Sequence, residues 1–325
     1  MPRNFISFAV IGAALACILP FVATAQSYPV KPVQLIAPFP PGGAIDVLAR
    51  TIGQRFQQRT GQAVVVENRA GAAGNIGIEM VAKSAPDGYT WLFVPQGNIT
   101  INATLMPNMP FNWDRDFTAV TLIAYAANVL AVHPSVPART TQELITYARA
   151  NPGKLSYGSP GIGSSLHLIG ELINREAGVN MVHIPYKGTV PAMQDLMGGQ
   201  ISMMFGAEGT LMPQVKAGKL RALAVTTAKR SPTSPELPSM AEGGLKNVDV
   251  PSWYGAMVSA RTPRDIVGRI HSEIAAIVNL ADVKSALLGQ GLQPVANSPD
   301  DFAAQIKRET ALWARVIREA GIKAE

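Results

Sequence analysis

The sequence predicts an α/β protein with two lobes, each a mainly parallel sheet covered by helices, hinged by two crossings of the chain. Three observations support this fold class: a β-α-β-α-β succession in the first third of the chain, a second such series after residue 128, and two long amphipathic helices at the end. Of the 325 residues, 47% are hydrophobic, which is enough to build two cores.

The first β-α-β series follows the N-terminal segment. Short apolar runs typical of strands alternate with apolar residues at helical spacing, and Gly- and Pro-containing segments separate them. Strands that alternate with helices favour a parallel sheet. We expect strands at 33–37, 64–67 and 89–94, and helices at 45–56 and 78–84.

The second series repeats this rhythm, and therefore indicates a second α/β lobe. We expect strands at 129–132, 155–158, 181–185, 201–205 and 220–226, and helices at 142–150, 164–177 and 190–197.

The C-terminal part contains amphipathic helices at 263–280 and 302–320 with no sheet between them. Two helices cannot form a domain alone, so we expect them to pack on a lobe, with the first as the favoured partner. The chain would then cross between the lobes twice, which makes a hinge and a closing cleft. The expected division is 26–127 and 250–325 for lobe 1 and 128–249 for lobe 2.

Residues 1–25 have the pattern of a cleavable secretory signal peptide. Residues 5–22 are uncharged and mostly apolar, Arg3 precedes them, and Ala23-Thr24-Ala25 matches a cleavage site. The apolar run is also close to the length that spans a membrane, so an uncleaved anchor is the alternative. In both cases we expect the protein to work outside the cytoplasm, in the periplasm.

Charge and motif content argue against several functions. The net charge is +6, but the basic residues are scattered and form no stripe that would follow a nucleic acid. The single Cys excludes a disulfide framework and a thiolate-rich metal site. The four His are far apart, and no nucleophile elbow occurs. We therefore expect no catalytic residues, no metal and no cofactor.

The loop at 38–46, between the first strand and its helix, is a candidate anion site. Ligands of open α/β sheets bind outside the carboxyl ends of the strands, where glycines admit a ligand to the free N–H groups of the next helix. A tight turn with no ligand is the alternative. Asp46 either caps the helix or faces the cleft. From this loop we select Phe39, Pro40, Gly42, Gly43 and Asp46.

The loop at 158–165 precedes a helix in the second series and offers amides and hydroxyls suited to a carboxylate or phosphate. Its glycines do not form a dinucleotide fingerprint, because Leu166 stands where the third glycine belongs. The candidate ligand-binding residues here are Ser159, Gly161, Gly163 and Ser164.

Further candidates follow two other strands. Gln96 and Asn98 come after the third strand and carry amides that suit a polar ligand. Lys187 follows the strand at 181–185, and is either a cation for an acid or a solvated turn residue.

Motifs along nearly the whole chain after residue 27 resemble those of the Bug family, the solute-binding receptors of tripartite tricarboxylate transporters. The motifs occur in order and are PFPPGG at 38–43 with Asp46 and Arg50, VENRAGAAG at 66–74, APDGYT at 85–90, NPGK at 151–154, HIPYKG at 183–188, GKLRALAV at 218–225 and AEGGL at 241–245.

The resemblance implies a two-lobed type II periplasmic binding protein, a Venus flytrap that closes on a small carboxylate-bearing solute. It also implies delivery of this solute to the integral-membrane permease subunits of a tripartite tricarboxylate transporter. Backbone amides, hydroxyls and ordered water would hold the carboxylate. We expect a monomer with no nucleic-acid partner. The alternatives are a ligand-sensing receptor for a signalling partner and a secreted α/β hydrolase.

Overall fold

A computed structural model describes residues 28–106 and 108–323, and the predicted signal peptide lies outside these residues. In the described ranges the strands form two sheets. None of the helices within these ranges combines the length and apolar character needed to cross a membrane.

The elements overlap every strand and helix predicted above and add several more. The strands are β1 (Val33–Ala37), β2 (Val64–Asn68), β3 (Thr90–Pro95), β4 (Phe117–Ala126), β5 (Asn128–Val132), β6 (Ser156–Ser159), β7 (Val182–Pro185), β8 (Met203–Ala207), β9 (Arg221–Val225), β10 (Ser252–Ser259) and β11 (Leu292–Pro294). The helices are α1 (Ala44–Thr60), α2 (Asn75–Ala82), α3 (Asn102–Leu105), α4 (Trp113–Asp116), α5 (Thr141–Ala150), α6 (Ser165–Ala177), α7 (Thr189–Met197), α8 (Glu208–Lys216), α9 (Arg264–Val278), α10 (Ala281–Gly289) and α11 (Pro299–Ala320). A 3₁₀ turn spans Ala72–Gly74, and a π-helical turn spans Gly97–Ile101.

The first sheet has the order β11-β4-β10-β3-β1-β2, and the second has the order β7-β6-β8-β5-β9. The pairs made by β-α-β units, β1 with β2 and β3 and β6 with β7 and β8, are parallel as predicted. The remaining pairs are antiparallel. The two-lobed α/β class is confirmed, with mixed rather than mainly parallel sheets.

The antiparallel strands are mainly those by which the chain enters and leaves a lobe. Strand β4 of the first sheet ends at Ala126, and β5 of the second begins at Asn128. The return runs from Val225, the end of β9, to Ser252, the start of β10. The two crossings lie side by side, because the Asn128 amide donates to the Val250 carbonyl at 3.3 Å. The exact lobe boundaries stay a prediction.

Helix ends near the cleft follow local chemistry. The Ser164 hydroxyl accepts a hydrogen bond from the His167 amide at 3.1 Å, which caps α6, and Gly178 ends this helix in a left-handed conformation. Helix α1 starts after Gly43 and ends at Gly61, also left-handed. These short-range signals explain why the sequence predicts both helices well.

The last helix packs differently from the expectation. The tail also contains α10 and the edge strand β11 between α9 and α11, so the expectation of no sheet between the two helices was wrong. Helix α9 belongs to the core of the first sheet, as expected for the tail. Helix α11 contributes Phe302 and Ile306 to a first-lobe cluster, but Trp313 and Ile317 to the main second-lobe cluster. Its amphipathic face is long enough to cover apolar surface on both lobes, so α11 bridges them.

Candidate functional site

A cavity with about 910 Å³ of empty space, its mouth included, lies between the lobes. Its loops follow strands β1, β3, β6, β7 and β8, at the ends where parallel sheets bind ligands. Its walls are largely apolar and come from both lobes, through Phe39, Pro40, Ile45, Pro95, Tyr254, Leu166, Val190 and Pro191. Among the described residues, no charged side chain lines it.

Helices α1, α6, α7 and α8 all begin at this cavity. Gly43, Gly188 and Ala207 precede α1, α7 and α8, and within the described chain no side chain caps them. The first turns of α1 and α7 therefore keep backbone N–H groups that no side chain caps, whereas the Glu208 amide that begins α8 donates to the Ala127 carbonyl at 3.2 Å. Each helix start carries partial positive charge. Helix starts of this kind suit an anionic group.

The first predicted loop contributes part of its residues to the cavity. Phe39, Pro40 and Gly43 line it, whereas Gly42 does not. Asp46 is 6% exposed and lies outside the lining.

Asp46 has a local role in holding this loop. Its carboxylate accepts hydrogen bonds from the Gly42 amide and from Arg50 Nε, each at 3.1 Å, and Arg50 also makes an ion pair with it at 2.9 Å. Burial alone would raise the pKa of Asp46, but the hydrogen bonds from Arg50 and Gly42 outweigh it and the pKa lies below its usual value. Neither of the two interpretations of Asp46 describes it fully, because it lies outside the cavity lining and does not cap α1, but instead accepts from the Gly42 amide in the loop before the helix.

The second predicted loop contributes Ser164, which lines the cavity together with Ser165. The Ser164 hydroxyl donates to the Gly161 carbonyl at 2.8 Å and caps α6. Ser159 lies beneath the loop, where its hydroxyl is 3.1 Å from the Gly161 carbonyl. Ser159, Gly161 and Gly163 shape the loop and do not line the cavity.

Two stacked histidines support this second loop. The rings of His167 and His183 have centroids 3.9 Å apart, the Gly163 amide donates to His167 Nδ1 at 3.3 Å, and His183 Nε2 is 2.7 Å from the Ser159 hydroxyl. Burial lowers the pKa of His167 to about 4, and burial together with the neighbouring His167 lowers the pKa of His183 to about 3. Both rings are neutral at pH 7.

Of the three remaining predicted residues, one lines the cavity and two do not. Asn98 lines the cavity, and its amide donates to the Ala73 carbonyl at 2.7 Å. Gln96 is buried but lies outside the lining, since its amide donates to Glu309 of α11 at 2.6 Å. Lys187 is exposed and also lies outside the lining, so the structure favours the solvated turn.

Sequence reasoning missed lining residues at the crossings and at two helix starts. Asn128 and Ser252 lie at the crossings, where the Ser252 hydroxyl is 3.1 Å from the Asn128 Oδ1 and 3.4 Å from the Ser165 hydroxyl. Thr189 of α7 and Thr210 of α8 also line the cavity. The loop before α7 was identified, but its charged residue was selected instead of its helix start. No motif marks the crossings.

The arrangement suits binding of a small anion. It offers free amides, hydroxyls and apolar walls, and the described lining residues include no titratable acid or base pair placed for proton transfer. In the same part of the chain no cluster of His, Cys, Asp and Glu could hold a metal ion. A two-lobed α/β fold with such a cavity between the lobes defines a solute-binding protein.

Comparison with known proteins gives the family. The model of the tripartite tricarboxylate transporter family receptor matches residues 48–322. BugT of Bordetella pertussis is 36% identical over 318 residues, which cover 95% of this chain and 98% of BugT. The chain belongs to the tripartite tricarboxylate transporter receptor family, and the predicted relation to Bug proteins is confirmed.

Solved structures support this family assignment. R. palustris Rpa4515 with adipate superposes with a TM-score of 0.88 at 36% identity, covering 91% of this chain and 99% of that one. The periplasmic binding protein BugD superposes with a TM-score of 0.85 at 33% identity, covering 92% and 100%. The family is one of transporter receptors, and BugD is a periplasmic binding protein.

Proposed function

We propose that this protein captures a small carboxylate-bearing solute between its lobes and delivers it to the permease subunits of a tripartite tricarboxylate transporter. The observation that carries this proposal is the set of helix starts that open on a mostly apolar cavity. Free amides complement a carboxylate, and the apolar walls complement a carbon skeleton. The adipate held by a relative with the same fold supports this solute class.

The helix starts and the apolar walls can together supply the free energy that micromolar binding requires. A micromolar dissociation constant corresponds to about −8 kcal/mol. Each helix start acts as roughly half a positive charge and contributes about 0.3–2 kcal/mol toward an anion, depending on its burial. Several helix starts and the burial of the solute's carbon atoms therefore suffice without a cation.

The lining favours an acid that carries no amine. A zwitterionic amino acid would bring an ammonium group into a cavity whose described lining holds no carboxylate, and a buried unpaired charge is costly. Asp46, paired with Arg50, and Glu208, whose Oε2 accepts from the Ser231 hydroxyl at 3.0 Å, both lie outside the lining.

We assign direct solute contact to residues that line the cavity, and loop shaping to the predicted residues of the loops at 38–46 and 158–165 that do not line it. The direct set is Phe39, Pro40, Gly43, Asn98, Ser164, Ser165, Thr189 and Thr210. The shaping set is Gly42, Asp46, Ser159, Gly161 and Gly163. Cleavage of a signal peptide after residue 25, a monomeric state and the lobe division at 127/128 and 249/250 complete the proposal.

A thermal-shift screen of residues 26–325 tests the solute class. The compounds are adipate, shorter and longer dicarboxylates, aromatic acids, amino acids, amides and sugars. A ligand that binds only the folded state raises the melting temperature in a saturable way. We expect this response from amine-free acids. A response confined to sugars, amides or amino acids would contradict the proposed solute class.

A further inference from the structure

Glu309 of α11 makes a cluster of hydrogen bonds just behind the cavity. Its carboxylate accepts from the Gln96 amide at 2.6 Å, from the Trp253 indole N–H at 2.7 Å and from the Gln305 amide at 2.8 Å. A charged acceptor makes such bonds stronger than a neutral one does. One side chain thus joins α11 to two other segments of the chain.

Those two segments carry lining residues. Gln96 immediately precedes Gly97 and Asn98, which line the cavity at the start of the π-helical turn. Trp253 lies between Ser252 and Tyr254, which line it from the crossing strand β10. Glu309 itself lies outside the lining, so any effect on a solute must pass through these neighbours.

Gln96 depends on this contact. Its side chain is 4% exposed, and within the described part of the chain its Oε1 has no hydrogen-bond partner. The bond to Glu309 is therefore the one described side-chain bond that satisfies this buried amide. Removal of the acceptor would leave the whole amide unpaired, which favours displacement of the segment that carries it.

Helix α11 also connects this cluster to both lobes. Ile306, one turn before Glu309, packs in a first-lobe core, and Trp313, one turn after it, packs in the second-lobe core. Ile101, the last residue of the π-helical turn, and Leu105 of α3 belong to the same second-lobe cluster as Trp313. Glu309 therefore lies at the point of α11 where its packing changes from one lobe to the other.

We infer that Glu309 is a positioning residue. Through its hydrogen bonds to Gln96 and Trp253 it holds the two solute-binding segments, Gly97–Asn98 and Ser252–Tyr254, in place relative to each other. The inference deepens the proposed receptor function and rests on it. It assigns a role in solute affinity to a residue of the last helix that does not touch the solute.

A matched pair of substitutions separates hydrogen bonding from side-chain volume. Glu309→Met keeps the length of the side chain and suits a helix but removes the acceptor, whereas Glu309→Gln keeps an acceptor oxygen. Hydrogen exchange is measured without solute at residues 97–106, where the Asn102 amide bonds to the Gly97 carbonyl and the Met106 amide bonds to the Asn102 carbonyl.

We expect exchange at these amides to rise about tenfold in Glu309→Met and less than about twofold in Glu309→Gln. Exchange in α5 should stay unchanged in both, and Glu319→Met, at an exposed position of the same helix, is the control. Equal exchange in the Met and Gln variants would overturn the inference. If Glu309→Met does not fold, Gln96→Met must reproduce the same local rise for the inference to stand.

Adipate affinity gives the second measurement. We expect the dissociation constant to rise about tenfold in Glu309→Met and to stay within about twofold of wild type in Glu309→Gln. Unchanged affinity in Glu309→Met would overturn the role in solute binding. The exchange experiment contains no solute. A wild-type protein that binds no carboxylate would therefore count against the proposed function, while the exchange result would still decide the positioning role.

Discussion

Ser164 combines two roles in a single hydroxyl. It caps α6 by accepting from the His167 amide, and it lines the cavity at the start of the same helix. Such a residue affects stability and solute affinity at the same time, so a substitution alone does not separate the two. A second capped helix in the same lobe makes the separation possible.

Ser164→Ala should lower the free energy of unfolding by about 1 kcal/mol, because a helix cap is lost, and weaken adipate binding at least several-fold. The control is Thr140→Ala, which removes the cap of α5, where the Thr140 hydroxyl accepts from the Glu143 amide at 3.1 Å away from the cavity. It should lose similar stability and no affinity. Isothermal titration and chemical unfolding measure both, and equal affinity in the two variants would move the anion site elsewhere.

The histidine pair predicts a pH dependence of stability. Burial lowers the pKa of both rings from 6.5, to about 4 for His167 and about 3 for His183, so the unfolded state binds more protons below pH 6.5. This stability is present in full above about pH 6.5 and is lost as the pH falls toward 4, on the order of 3 kcal/mol for His167 and less than that for the more exposed His183. Unfolding in urea between pH 7.5 and 4.5 measures it.

His183→Gln should flatten this dependence, because one of the two titrating rings is gone. The glutamine amide can still reach the Ser159 hydroxyl, so the loop need not change. His133→Gln, which removes a histidine outside this pair and next to Ser135, is the control. A slope that is the same in all three proteins would assign the acid sensitivity to other groups.

At the scale of the element, the sequence predicted what short-range chemistry determines. Strands such as β1 and helices such as α6 are bounded by glycine, proline or a capping serine, so their ends are visible locally. Strands β4 and β10 were not predicted, because they lie in the middle of a sheet, largely buried on both faces, and show no alternation of polar and apolar residues.

The candidate site, too, was predicted only as far as local sequence and topology determine it. The position of a loop after a parallel strand follows from topology, and the loops after β1, β3, β6 and β7 were all identified as candidates. The direction of each side chain follows from tertiary partners that no spacing reveals. Gln96 bonds to Glu309, more than two hundred residues away, while Asn98 two positions later faces the cavity.

The close contact between the π-helical turn and the start of α6 allows a prediction about solute affinity. A Cβ on Gly97 would lie 2.9 Å from the Ser165 amide nitrogen and 3.2 Å from the Gly163 carbonyl oxygen, both backbone atoms of the other lobe. Gly97→Ala should therefore push the start of α6 away and weaken adipate binding about tenfold. Gly268→Ala in α9, where a Cβ meets nothing within 4 Å, is the control. Titration of both variants checks this, and unchanged binding in Gly97→Ala would mean that the contact is not needed for the bound state.

At the scale of the whole molecule, the two lobes face each other across a cavity whose described lining holds no charged side chain. Pro40 of the first lobe approaches Gly188 of the second, where an added Cβ would lie 3.6 Å from the proline ring, so the two lobes come close together beside the cavity. Helix α11 spans the cores of both lobes on another side. A solute held here is largely removed from water, and this sets how its affinity responds to salt.

Solute affinity should depend only weakly on ionic strength. Salt screens exposed charges over a Debye length of about 10 Å at 0.1 M, but it screens buried partners much less. Because the described lining contains no charged side chain, the dissociation constant for adipate should change less than about threefold between about 0.05 and 0.5 M NaCl. Lys187→Met should bind adipate as the wild type does, since Lys187 is exposed and lies outside the lining. A steep loss of affinity with salt that Lys187→Met abolishes would assign anion recognition to this lysine and not to the helix starts.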